Sequence, residues 1–249
     1  MKRQNDFAGE MGRKYQEAMK VICPQDDEMK KLIAREATKN FQALSKKGTG
    51  ATLLDLGCGN GNLIDRMFYA DIYNSWVETF VGVDSAEAMI REAKDKLWVP
   101  VQQEQVILEQ ADITEYLTGL IPLEKLRANT TLSTFVLHNF TQQERQRVFP
   151  LIYQTLTPEG VFYLGDKIAI TNPAEHAQDY AAQIKLIQSL AEHGMPELVQ
   201  PWLDHYKMDN SPERRMIEGE LVNQLRAVGF KEVNILYREK MEAVVEARK

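Results

Sequence analysis

From Ala51 onward, short runs of β-branched residues and leucine alternate with stretches whose apolar residues recur every three or four positions. A short, nearly continuous apolar run is the mark of a strand covered on both faces. Its alternation with helical periodicity predicts parallel βαβ units. The strands predicted this way are Ala51–Leu56, Thr79–Asp84, Gln105–Gln110, Asn129–Val136 and Val161–Lys167. Two more, Phe230–Tyr237 and Met241–Ala247, are separated only by Arg238 to Lys240. So short a link can make only a hairpin, so the final strand is expected to be antiparallel.

Polar and special residues punctuate the helices between these strands. Ser85 is expected to cap a helix running to about Leu97, and Thr141-Gln142-Gln143-Glu144 matches a capping box. Asn172-Pro173 and Ser211-Pro212 each set a cap residue before a proline suited to the first helical position. Gly229 is read as the terminator of the helix begun at Ser211, and Pro150, inside the helix begun at Thr141, predicts a kink. Two segments lie outside the alternation. Phe7–Lys46 reads as helices broken at Cys23-Pro24, and Asn172–Asp209 as a long helical insertion carrying Tyr180, Trp202 and Tyr206. The chain therefore divides into an N-terminal helical lid segment, 1–47, and a main domain, 48–249, with its insertion at about 172–209.

Candidate chemistry begins where the first strand ends, at Leu53-Leu54-Asp55-Leu56-Gly57-Cys58-Gly59-Asn60-Gly61-Asn62-Leu63. Three glycines at alternate positions allow a turn through positive φ and the close approach of a ligand to bare backbone. The helix that follows turns unpaired amides toward it. Asp84 ends the next strand, 23 residues past Gly61, where a ribose diol is held in doubly wound folds. Asp112 follows the third strand, so acidic residues stand at the ends of three successive strands. Nicotinamide binding is disfavoured because Asn62 occupies the place of a third fingerprint glycine, and no Gly-Lys-Ser/Thr follows to cradle a nucleoside triphosphate. Asp55, directly before the glycines, suits a ligand carrying an ammonium group.

Asp55-Leu56-Gly57-Cys58-Gly59-Asn60-Gly61 resembles the first motif of the class I S-adenosylmethionine (SAM)-dependent methyltransferases. Val81-Gly82-Val83-Asp84-Ser85 resembles the second motif and Gln110-Ala111-Asp112-Ile113 the third. Ser133-Thr134-Phe135-Val136-Leu137-His138-Asn139-Phe140 is similar to the fourth-strand segment, and Leu156-Thr157-Pro158-Glu159-Gly160-Val161 to the turn into the fifth. The resemblance implies a Rossmann-like α/β fold: a doubly wound seven-stranded sheet, order 3-2-1-4-5-7-6 with strand 7 antiparallel, and a helical lid. It implies SAM as cofactor and S-adenosyl-L-homocysteine as product. Gly57 and Gly59 would pack on the methionine part, Asp84 would hold the ribose and Asp112 would meet the adenine amine, with Asp55, Cys58 and Ser85 also among the cofactor-binding residues. Met89 and Ile113 would sandwich the ring and Ser133 would face the methionine moiety. Tyr15, in Gly12-Arg13-Lys14-Tyr15, matches a position that closes over the cofactor in small-molecule members.

His138, at the end of the fourth strand, is the candidate general base, its ordinary titration range suiting proton removal at neutral pH. The competing reading has it only packing in the loop before Thr141. Asp112 has a second reading as a helix cap, and Tyr180, Trp202 and Tyr206 are read as lid core rather than substrate contacts. His176, His193 and His205 could line the pocket but are read as surface residues; Arg214-Arg215 could bind an anionic substrate but is read as a solvated pair at a helix start, and Cys58 is read as a packing residue.

Composition narrows the partners. The 249 residues are 44% hydrophobic and 27% charged, with a net charge of −6, which disfavours wholesale nucleic-acid binding. Two cysteines form neither a disulfide framework nor a metal motif. The polar start and the lack of an apolar run near the length of a bilayer lead us to expect a cytoplasmic protein with no membrane segment and no metal. The expected activity is methyl transfer to a small-molecule acceptor, with a homodimer left open. The alternatives are a tRNA-modifying enzyme, a carboxy-SAM-type enzyme (whose helical insertion this one resembles), and a SAM-binding regulatory protein without turnover.

Overall fold

A computed structural model describes residues 14–46, 50–71, 77–120 and 127–249. Gly12 and Arg13 of the Tyr15 motif, and the N-terminal segment up to them, lie outside the described residues. Seven strands form one sheet: β1 (Ala51–Leu56), β2 (Val77–Asp84), β3 (Val106–Gln110), β4 (Ala128–Thr134), β5 (Leu156–Lys167), β6 (Glu232–Glu239) and β7 (Glu242–Arg248). Their order is β3-β2-β1-β4-β5-β7-β6. Strands β1 to β5 pair in parallel, while β7 runs antiparallel to both β5 and β6, as the short link before it requires. β5 begins five residues earlier than its apolar run, at Leu156, and takes in the residues expected to form the turn.

The helices are α1 (Tyr15–Ile22), α2 (Asp26–Ser45), α3 (Asn62–Asp71), α4 (Glu87–Lys96), α5 (Gln142–Thr155), α6 (Pro173–Gln188), α7 (Pro196–Asp209) and α8 (Glu218–Val228), with shorter turns between them. The break at Cys23-Pro24, the Thr141–Glu144 capping box and the Asn172 cap are all present. α5 continues through Pro150 to Thr155. Gly229 ends α8 at a φ of +123°.

Two helix starts differ from expectation. Ser85 caps nothing: α4 begins at Glu87, and the Asp84 carboxylate takes the amide of Ala86 instead. Ser211-Pro212 opens a turn, not a helix, and α8 starts only at Glu218. A bridge between Ala169 and Ile217, with Ala169 donating to the Met216 carbonyl at 2.7 Å, holds the backbone extended just before α8. Arg214 and Arg215 therefore sit half-buried in that turn and do not open a helix.

Strand alternation sends side chains to two cores. On one face Leu53, Phe80, Leu132 and Tyr163 pack with Ile33 and Phe41 of α2, Ile64 of α3 and the insertion residues Trp202 and Tyr206. On the other, Leu54, Val83, Phe162 and Leu164 pack with Phe149 and Ile152 of α5 and Leu225 of α8. The insertion is tied to the N-terminal helices by Gln183 Nε2 donating to the Ile22 carbonyl at 2.6 Å and by Tyr15 stacked on Trp202 at 6.0 Å. Tyr180 stacks on Tyr206 at 5.0 Å, so these aromatics are core of the insertion, as expected. No described helix is long and apolar enough to cross a membrane.

Candidate active site

The turn after β1 is built by close approach. The amides of Gly57 and Cys58 both donate to the Val83 carbonyl, at 2.7 and 3.0 Å, which folds the turn across the end of β2. Gly57 has φ +78°, and a Cβ there would lie 2.1 Å from Val136 Cγ2, so only glycine allows the turn to touch the segment after β4. Gly59, at φ +53°, differs: a Cβ there would meet nothing within 4 Å, so its bare backbone faces open space. Cys58 is buried and packs in the core, with no sign of nucleophilic use.

Three acidic side chains stand at or just beyond the ends of β1, β2 and β3, each with its own job. Asp84 accepts from Gly59 N at 2.9 Å and Ala86 N at 2.8 Å, while burial pushes its carboxyl above the ordinary range. It thus braces the glycine turn while remaining half-buried at the strand end. Asp112 caps the short turn Ile113–Glu115, accepting from Thr114 N at 2.8 Å; the cap reading of this residue is the one observed. Asp55 is 1% exposed, and its Oδ1 has no hydrogen-bond partner among the described residues. Burial pushes its carboxyl up to about 7, with Lys30 opposing and Asp84 adding to the rise. Ser133 Oγ, buried on β4, likewise lacks a partner among the described residues. A ligand or an ordered water would complete these two groups. Ser85 is exposed, Met89 half-buried and Ile113 buried. Burial first, and then the neighbouring Asp26 carboxylate, push the Tyr15 hydroxyl well above its ordinary range.

β4 ends in a tight connection. Phe135 takes φ +54° and donates to the Gly165 carbonyl at 2.8 Å. Asp166, fully buried at the end of β5, gathers the loop that follows. Its Oδ2 accepts from Leu137 N at 2.9 Å and His138 N at 3.2 Å, and its Oδ1 meets His138 Nδ1 at 2.5 Å. Arg145 Nη1 reaches the Leu137 and Phe140 carbonyls from α5, its guanidinium drawn down to about 10 by burial. A carboxylate on Nδ1 fixes the imidazole orientation and leaves Nε2 as the outward nitrogen.

That nitrogen faces the insertion. Asp209 Oδ2 lies 3.6 Å from His138 Nε2, 3.4 Å from His205 Nε2 and 3.6 Å from Lys167 Nζ. His205 and His176 are therefore buried, at 5% and 6% exposure, and not surface residues; only His193 is exposed as expected. The helix α7 presents His205 inward, and His176 is fixed by Asn210 at 2.8 Å. From sequence, His205 stands only as a surface or pocket-lining candidate, and Asp166, Lys167 and Asp209 are not singled out. Asp166 ends a strand beside Gly165 much as Asp84 does, and His205 and Asp209 are four apart, on one helix face. Either pattern was available as a signal.

Comparison with known proteins gives this geometry a context. Residues 53–160 match the model of a methyltransferase domain family. An uncharacterized methyltransferase of Oceanobacillus iheyensis is 26% identical over 140 residues, covering 56% of this chain and 58% of that protein. The carboxy-S-adenosyl-L-methionine synthase of Shewanella loihica is 29% identical over 100 residues, 40% of this chain and 38% of that one. The chain thus matches less than two thirds of the length of these relatives. An O-methyltransferase family protein from Burkholderia thailandensis shares the fold, with a TM-score of 0.63 at 12% identity over 98% of this chain and 61% of that one. Residues 53–160 are thus similar to a methyltransferase domain, and the β3-β2-β1-β4-β5-β7-β6 sheet with a glycine turn after its first strand is the fold shared with the solved methyltransferases.

Proposed function

We propose that this protein transfers a methyl group from SAM to a small-molecule acceptor, with His138 taking the acceptor's proton. The observation that carries the reading is the buried Asp166–His138 pair at the ends of β5 and β4, set against the glycine turn by the contact of Gly57 with Val136. SAM, when bound, supplies a methyl group already activated on a sulfonium. Gly57, Cys58 and Gly59 would offer backbone to its methionine portion, with the orphaned Asp55 carboxylate receiving the ammonium and Ser133 nearby. Asp84 and Ser85 would hold the ribose. Asp112, Met89 and Ile113 would receive the adenine, and Tyr15 would close the site.

The chain's own work is alignment and proton management. A lone pair of an acceptor oxygen or nitrogen attacks the methyl carbon as the carbon–sulfur bond breaks, and the acceptor's proton passes to His138 Nε2. Asp166 holds the imidazole in the one tautomer that can accept it and stabilises the imidazolium that results. Holding both reactants in attack geometry can supply about 7–11 kcal/mol of the barrier. His138 is 5% exposed beside α7, which supports an acceptor small enough to be enclosed, with α1, α2 and the insertion acting as lid. The carboxy-SAM alternative draws no support from the arginine beside the site, because Arg145 Nη1 is engaged by backbone carbonyls.

The test pairs SAM calorimetry with transfer of a labelled methyl group into a fractionated metabolite extract. Label entering a low-molecular-weight product at a rate abolished in His138→Ala supports the proposal. Folded protein that gives no heat with SAM or S-adenosylhomocysteine would sink it.

A further inference from the structure

We infer that His138, His205 and Asp209 form a binding site for a divalent transition ion, Zn2+ fitting the donors best. One donor atom from each of the three residues lies within 4.8 Å of the others. A tetrahedral ion with bonds of about 2.0–2.2 Å holds its ligand atoms about 3.3–3.5 Å apart. Asp209 Oδ2 already stands 3.4 Å from His205 Nε2 and 3.6 Å from His138 Nε2, close to tetrahedral edges, while the edge between the two histidines, within 4.8 Å, closes as a metal enters.

Two further features point to a ligand at this place. Asp209 is 6% exposed, yet neither of its carboxylate oxygens has a hydrogen-bond partner among the described residues. Its contacts are ion-pair approaches of 3.4–3.6 Å, too long for hydrogen bonds of good geometry, which leaves room for a closer cation to complete it. Behind His138, the Asp166 carboxylate on Nδ1 at 2.5 Å is the outer partner that metal-bound imidazoles usually have. Two nitrogens and one oxygen suit Zn2+ or its neighbours, not Mg2+ or Ca2+, which take six or more oxygens. Three protein donors leave a fourth position open.

Lys167 is the counterweight. Its ammonium lies 3.6 Å from the same Asp209 oxygen and 4.9 Å from the Tyr206 ring centre, so it neutralises Asp209 when no metal is bound and must yield when one enters. His138 belongs to the core between β4 and α5, whereas His205 and Asp209 come from α7 of the insertion. A metal bound there clamps the insertion to the core. It also occupies the nitrogen that the methyl-transfer reading gives to the acceptor's proton, so the loaded protein is the inactive form; this consequence rests on that reading, while the site itself does not.

Binding is measured on the metal-stripped full chain, with no SAM or acceptor, by calorimetry with Zn2+ and by the visible absorption of Co2+. One equivalent is expected, with a tetrahedral Co2+ spectrum. Affinity should fall at least tenfold in His205→Gln and in Asp209→Asn, each checked for folding by circular dichroism, and rise in Lys167→Met. No binding at millimolar metal, or binding indifferent to both donor substitutions, overturns the site. Transfer activity unaffected at saturating Zn2+ overturns the inactive-form assignment. Zinc binding in a protein that gives no heat with SAM leaves the site standing and removes the methyltransferase reading instead.

Discussion

Asp55 sits 1% exposed at the end of β1 with a carboxylate oxygen that lacks a partner among the described residues, and burial pushes its carboxyl up to about 7 from an ordinary 3.8. An ammonium seated against that oxygen favours the charged form, so SAM binding should expel a proton wherever the carboxyl was protonated. If only the charged form receives the ligand, the competent fraction is about 0.09 at pH 6 and about 0.5 at pH 7. Affinity should therefore rise about fivefold over that unit, about 1 kcal/mol. An α-amino group keeps its charge throughout this window, so the slope belongs to the protein.

Stability runs the other way. The folded value lies above the unfolded one, so the native state holds the Asp55 proton more tightly, and stability falls as pH rises from about 4 through 7. The full effect is about 4 kcal/mol once the group is charged. Asp55→Asn should remove both dependences: a flatter SAM affinity between pH 6 and 7, and a fold more resistant to heat at pH 8 than the parent. Calorimetry in two buffers of different ionisation enthalpy counts the proton released, and thermal unfolding at pH 5 and 8 reads the stability term. Parent protein that binds SAM equally at pH 6 and 7 with no proton release, or an Asn variant that keeps the parent's slope, would refute the pairing of this carboxylate with the ammonium.

Asp84→Ala should weaken SAM binding by about 1.5–3 kcal/mol, the scale of a charged hydrogen bond; unchanged calorimetric affinity in folded protein would remove it from the ribose role. His138→Ala should abolish turnover while SAM affinity stays within a few-fold, and Asp166→Asn should lower kcat with the same signature; normal single-turnover rates in either variant would contradict the proton path. The two glycines should separate cleanly. Gly57→Ala sets a methyl 2.1 Å from Val136 Cγ2 at φ +78° and should cost about 2–4 kcal/mol of stability. Gly59→Ala meets no protein atom, so it should cost only about 1 kcal/mol in backbone strain while losing most of its SAM affinity; equal melting temperatures for the two would count against this division. Thr141→Ala, which breaks the capping box of α5, should cost about 1 kcal/mol by chemical denaturation.

What could be read from the residues followed the range of the forces involved. β1 was bounded correctly at both ends because an apolar run meets a glycine that must turn, and the β6–β7 hairpin was forced by a link too short for anything else. The Thr141 and Asn172 caps act within three residues, so local pattern sufficed. Ser211-Pro212 carries the same kind of signal and was misleading, because Ala169, some forty positions away, takes the backbone groups of residues 216–218. Ser85 lost its cap role to the side chain next to it, Asp84, whose position at the strand end already aimed it at the Ala86 amide. At the site, the glycine turn was visible as a pattern, while the environment of His138 was not. Asp166 reaches it through strand pairing, and His205 and Asp209 reach it only because α7 folds back over the sheet.

The strand order explains why the two halves of the chemistry meet. β1 lies beside β4 in the middle of the sheet, yet the chain leaves β1 toward β2 on one side and leaves β4 toward β5 on the other. The connections at those two strand ends must part, and a crevice opens between them at the carboxyl edge. One wall is the glycine turn, tied down by Val83 and Asp84; the other is the Val136–His138 segment, tied down by Asp166. Each wall is held by a strand other than the one it leaves, so neither can swing without breaking hydrogen bonds to a buried neighbour. Gly57 is where the walls touch, and a single added methyl there would press directly on the residue two positions before His138. The spacing between the glycine turn and His138 is thus set by the rigid sheet, so on the proposed reading alignment within an ångström can rest on two loops.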